Sequence, residues 1–131
     1  MPGCVLRATG AKFDVDSFLS DSPFRPATVY RKGQRRRPAS RGVQTGSGFN
    51  VVVSDTDDSP EKQVEYALTF LRDQHGELLR LVRFGGIEEI VLDFGIPQNE
   101  IATRSARFPA DLLVAAGALG IDIHVSFYLV G

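Results

Sequence analysis

Apolar and polar positions alternate along this chain, and the period of the alternation changes from segment to segment. From Cys4 to Thr9 the period is two. Cys4, Leu6 and Ala8 fall on one side and Val5, Arg7 and Thr9 on the other, which predicts a short strand ended by Gly10. Asp14 then stands as an N-cap before Val15, and Phe18 and Leu19 supply the apolar stripe of a short helix that Pro23 and Pro26 stop. Ala27 to Lys32 reads as a second strand and Phe49 to Ser54 as a third.

The longest helical pattern begins at Ser59-Pro60. Serine suits the cap, and proline at the first helical position gives up only an N–H that has no partner there. Val64, Ala67, Leu68, Leu71, Leu78 and Val82 follow the 3.6-residue stripe, with a kink or split expected at Gly76 and an end at Gly85-Gly86. A fourth strand carries Ile90, Leu92, Phe94 and Ile96 against Val91, Asp93 and Gly95. A polar loop follows from Gln98 to Arg107, then a short helix opened by Pro109 or Ala110 and capped by Gly120. In the last strand Ile121, Ile123, Val125, Phe127 and Leu129 face one way and Asp122, His124, Ser126 and Tyr128 the other.

The predicted order is β-α-β-β-α-β-α-β. Strands with one apolar and one polar face imply a mainly antiparallel sheet of about five strands with helices on one side: an α+β fold, an elaborated ferredoxin-like arrangement among its options. Helices are expected to cover the face bearing Leu92, Phe94, Ile123, Val125 and Phe127. With 131 residues, 43% of them hydrophobic and 24% charged, the chain reads as one folded domain with a sizeable core.

Charge changes this picture. The net charge is −1, but residues 1–48 hold nine Lys and Arg against three acids, while residues 49–131 hold six against 13, a +6 half and a −7 half. Much of the positive charge sits in a basic Gly/Arg-rich stretch at about 33–48, which has almost nothing to bury and reads as a loop or mobile hairpin. Arg31, Lys32, Arg35, Arg36, Arg37 and Arg41 make this stretch a candidate binding element for phosphate or for an acidic protein partner. Only Tyr30 and Phe49 flank it, so stacking platforms for nucleic acid are scarce and nucleic acid is not the expected partner.

Candidate chemistry is sparse. No lysine-serine or lysine-threonine pair follows the glycines at 42–48, as a phosphate loop requires. No histidine pair has zinc-ligand spacing, and Asp55, Asp57 and Asp58 fit caps for the following helix better than a calcium loop. The expectation is no metal and no cofactor. Cys4, the single cysteine, shares a face with Leu6 and Ala8 and reads as core; His75 reads as a helix-end histidine. The weak catalytic candidates are His124, Asp93 and Tyr128, a carboxylate, an imidazole and a phenol on one sheet face if their strands are neighbours. The plainer reading of that face is solvent-exposed polarity, and a third is contact with a second subunit.

Several short motifs occur in a suggestive order: Phe13-Asp14-Val15-Asp16-Ser17-Phe18-Leu19, Arg25-Pro26-Ala27-Thr28, Tyr30-Arg31-Lys32-Gly33, Pro109 through Leu113, Leu119-Gly120-Ile121-Asp122-Ile123 and Ser126-Phe127-Tyr128. Over nearly the whole chain this resembles a bacterial family, the domain of unknown function 4279. Phe49 departs from the pattern, since the family carries Trp there, and so does the arginine-rich loop. The resemblance implies a fold but no established activity.

The expected function is a non-catalytic binding or protein-interaction module, toxin-neutralising or accessory in role, with a homodimer or an acidic protein as its partners. The alternative is a small enzyme or ligand-binding protein using the face around His124, and the third reading is nucleic-acid or acidic-partner binding through the arginine loop. No run approaches the roughly 18–20 apolar residues of a membrane span. The first ten residues lack the pattern of a signal peptide, so a cytoplasmic location is expected.

Overall fold

The strand at Cys4–Gly10 forms where alternation is strictest, and its small and branched residues Cys4, Leu6 and Ala8 are all buried. In a computed structural model describing residues 3–36, 41–55, 59–98 and 105–129, it lies at the centre of a five-stranded sheet. The elements run β1 (Cys4–Gly10), α1 (Val15–Ser20), β2 (Thr28–Tyr30), β3 (Ser47–Val52), α2 (Pro60–Asp73), α3 (His75–Val82), β4 (Glu89–Gln98), α4 (Ala110–Ala118) and β5 (Asp122–Leu129). The sheet order is β2-β3-β1-β4-β5. β1 pairs antiparallel with both β3 and β4, β2 is antiparallel to β3, and β5 is parallel to β4.

This is an α+β fold with a mixed, mostly antiparallel sheet. Its first four strands form two interleaved split βαβ units: β3 lies between β1 and β2, and β1 lies between β3 and β4. The β4-α4-β5 segment adds the parallel edge strand. That is the elaboration of the ferredoxin-like pattern.

The helices form because their caps and stripes agree. Asp14 accepts from the Ser17 amide at 3.1 Å, and Ser59 accepts from the Lys62 amide at 3.2 Å with Pro60 in the first helical position. Val64, Ala67, Leu71, Leu78 and Leu81 then face the sheet and pack on Leu6, Phe49, Leu92 and Phe94. Six phenylalanines, at 13, 18, 24, 49, 70 and 84, meet at one end of this core, with ring centroids 5.3–6.4 Å apart.

Three expectations change. The long helix breaks at Gln74, not at Gly76, because Gln74 leaves helical geometry at φ −101° and ψ 18° and serves as both the C-cap of α2 and the N-cap of α3. β2 is shorter than expected, and β3 starts and ends two residues earlier than the pattern suggested. Of the loop or hairpin expected after β2, the described ends take the hairpin form: Gly33 donates to Gln44, Gln44 to Gln34 and Arg36 to Gly42, extending β2 and β3 irregularly. Leu92, Phe94 and Ile123 lie under the helices as expected, but Val125 is half-buried and Phe127 is 65% exposed. Phe127 has the right parity but sits on an edge strand beyond the reach of the helix layer.

Candidate functional site

The sheet face turned away from the helices carries Asp93, His124 and Tyr128, and at its Thr9–Tyr30 end borders the cleft that Arg36 and Arg41 line. On it, Asp93 of β4 and His124 of β5 are direct register partners, and Tyr128 pairs with Pro97 further along. The strands are therefore neighbours, and the three residues share a face. What they touch is another matter. Asp93 is 6% exposed and already occupied: Arg7 of β1 reaches it at 2.7 Å, and Ser126 Oγ donates to its two oxygens at 2.7 and 3.0 Å. Arg7 stands opposite Val91, two residues along β4 from Asp93, so its side chain reaches the carboxylate diagonally. His124 is exposed, and the groups that hold Asp93 are Arg7 and Ser126.

The Asp93 carboxylate is charge-paired by a guanidinium and accepts from a hydroxyl. It fixes β1, β4 and β5 to one another on the open face. Ser126 donates to Asp93 directly, without an imidazole between them, so the arrangement is not a relay that would activate the hydroxyl. Sequence reasoning put Arg7 on a polar face but could not see that β1 lies beside β4. Cys4 faces the opposite side, buried in the core opposite Phe94. Burial, and secondarily the Asp93 carboxylate, push its thiol pKa far above the ordinary range, so it remains a neutral core residue. His75 opens α3 instead of closing a helix. Among the described residues no group of three or more His, Cys, Asp or Glu could hold a metal ion.

The arginine hairpin divides into parts with different roles. Arg31 forms a two-pronged ion pair with Asp16, Nε to Oδ2 at 2.9 Å and Nη2 to Oδ1 at 2.6 Å, tying the hairpin base to α1. The Arg31 hydrogen bonds, helped by its charge, hold the Asp16 carboxyl below its ordinary pKa. The Lys32 amide donates to Ser47 Oγ, and its side chain is exposed. Arg35 is exposed and bridges to Val43. Arg37, Asp57 and Asp58 lie outside the described residues, as does most of the Gln98–Arg107 loop.

Arg36 and Arg41 differ from the others. With Thr9, Tyr30, Gln44, Thr45 and Gly46 they line a polar cleft of about 350 Å³ at the hairpin base. Gly48 makes the cleft possible. A Cβ there would fall 2.5 Å from Tyr30 Oη and 2.2 Å from the Ala8 carbonyl, so only glycine lets the tyrosine lie across β3. Arg36 is half-buried, and its Nε is buried with no hydrogen-bond partner among the described residues. An unpaired buried guanidinium N–H carries a desolvation cost that an acceptor would relieve. The cleft opens into a second one of about 530 Å³ that shares Thr9, Thr45 and Gly46 and ends at Glu88 and Glu89. Glu88 there accepts the Ala11 amide. The groove is thus basic at one end and acidic at the other.

No family model, curated protein or solved structure matches this chain. Among the described residues no helix is long and apolar enough to cross a membrane.

Proposed function

We propose that this protein is a non-catalytic binding module that captures a single anionic group, a carboxylate or phosphate borne by a partner, in the hairpin cleft between Arg36 and Arg41. The observation that carries this reading is the buried, unpartnered Arg36 Nε at a cleft that also receives Arg41. Arginine is suited to the task because its planar fork matches carboxylate and phosphate and keeps its charge at any working pH. Tyr30 and Gln44 add neutral donors around the same space, while the Thr9 hydroxyl is spent on the Ser47 carbonyl.

The acidic far end of the groove restricts the ligand. Glu88 and Glu89 would repel a long polyanion lying along it, which disfavours nucleic acid and favours a local acidic group on a protein. The engaged state of Asp93 favours binding over acid–base work at the open face. Membership of the domain of unknown function 4279 family and a cytoplasmic setting belong to the same proposal; the buried, neutral Cys4 thiol suits a reducing compartment.

The test is NMR titration of the full chain with inorganic phosphate and with a short acidic peptide, repeated for Arg36→Ser and Arg41→Ser. Shifts should concentrate at Thr9, Tyr30 and Gln44. Each substitution should weaken binding about 10- to 100-fold, as losing a charged hydrogen bond worth about 1.5–3 kcal/mol implies. Affinity should also fall with added salt. Shifts confined to the His124 face, or affinities unmoved by both substitutions, would overturn the reading.

A further inference from the structure

Register pairs draw one line across the open face of the sheet. Tyr30 of β2 stands beside Gly48 of β3, Gly48 beside Thr9 of β1, and Thr9 beside Glu89 of β4. Register partners point to the same face, so this line joins the arginine end of the groove to its acidic end without changing sides. Gly48 adds no side chain to obstruct it. With strands about 4.8 Å apart, three intervals separate Tyr30 from Glu89 by about 14 Å.

The charges at the two ends are not cancelled within the chain. Among the described residues, none of Arg36, Arg41, Glu88 and Glu89 has an ion-pair partner. Lys12 follows the Gly10-Ala11 rim of the acidic end, yet pairs with neither carboxylate. Glu88 accepts the Ala11 amide, which holds its side chain at the rim, and Glu89 is exposed beside it. The span between the ends exceeds the screening length of about 8 Å at physiological salt, so each end keeps its own field.

We infer, on the basis of the anion site proposed above, that the groove takes an extended protein segment carrying both signs of charge. An acidic side chain seats at Arg36 and Arg41, and a lysine or arginine about four residues away seats at Glu88 and Glu89. Charge complementarity selects this occupant. A polyanion is repelled by the glutamates, a polycation is repelled by the arginines, and a free amino acid is too short to reach both ends. An extended chain rises about 3.3 Å per residue, so four residues cover the span. A separation of four also puts the two side chains on one side of the segment, because alternation has period two.

NMR titration of the full chain with two capped pentapeptides tests this. Both begin with aspartate and three alanines; one ends in lysine and the other in alanine. The lysine peptide should bind about three- to fivefold more tightly at low salt, the gain of one exposed ion pair, and should move the amides of Ala11, Glu88 and Glu89. Glu88→Gln combined with Glu89→Gln, which keeps an acceptor for the Ala11 amide, should erase that preference. Equal affinity for the two peptides, or a preference that survives the double substitution, overturns the proposal. Arg36→Ser separates the two sites. If it weakens both peptides while they bind alike, the anion site stands and the acidic contact falls. If it weakens neither, both fall.

Discussion

Replacing Phe49 probes the densest part of the structure. Its side chain is fully buried in mid-β3. Its ring stacks on Phe18 at 5.6 Å and 12°, and lies 6.2 Å from both Phe13 and Phe24. Phe49→Ala removes the ring that these three share. Truncating a buried phenylalanine costs about 3–5 kcal/mol, and each aromatic pair adds about 0.5–1.5 kcal/mol beyond area burial. Partial collapse of the neighbours offsets some of this, so a loss of about 4 kcal/mol is expected. A domain of this kind has only about 5–15 kcal/mol in total. With a urea m value near 2 kcal/mol per molar, the midpoint should fall by about 2 M. Phe49→Trp tests the same packing from the other side. The extra ring must fit a filled site and bury an indole N–H, so a loss of about 1–3 kcal/mol is expected. The chain has no other tryptophan, so the variant reports its own unfolding by fluorescence. A loss below about 1.5 kcal/mol for Phe49→Ala, or a gain for Phe49→Trp, would refute the view of this cluster as full and central.

Gly86, at φ +90°, meets the β1–α1 turn so closely that a Cβ would lie 2.3 Å from the Lys12 carbonyl oxygen. Gly86→Ala should cost about 2 kcal/mol or more from backbone strain and clash, measured by urea unfolding. Glu77 is held below its ordinary pKa of about 4.5 chiefly by hydrogen bonds from Arg80, whose guanidinium also donates to the Phe18 carbonyl and lies 4.0 Å from the Phe18 ring centroid. A depressed carboxylate pKa stabilises the fold above the unfolded value and is lost as pH falls through the folded one. Between pH 6 and 3 the wild type should therefore lose more stability than Glu77→Gln, and parallel curves in urea would count against this pair.

Much of the fold was legible because burial imposes parity. Leu92, Phe94 and Ile123 declared their side of the sheet, and Ser59-Pro60 declared the start of α2. Adjacency is another kind of information. Asp93 and His124 share a parity in any arrangement, but that they are register partners depends on β5 lying parallel beside β4, which no local pattern encodes. Arg7 escaped for the same reason, since its partner is brought to it only by β1–β4 pairing. The hairpin could be named only as one of two forms, because its order rests on backbone bonds such as Gly33 to Gln44, which need no apolar side chains. The break at Gln74 was invisible because Leu71 and Leu78 keep the stripe running across it. Of the arginines, composition marked the group; only the coordinates separate Arg31, spent on Asp16, from Arg36, whose Nε lacks a partner.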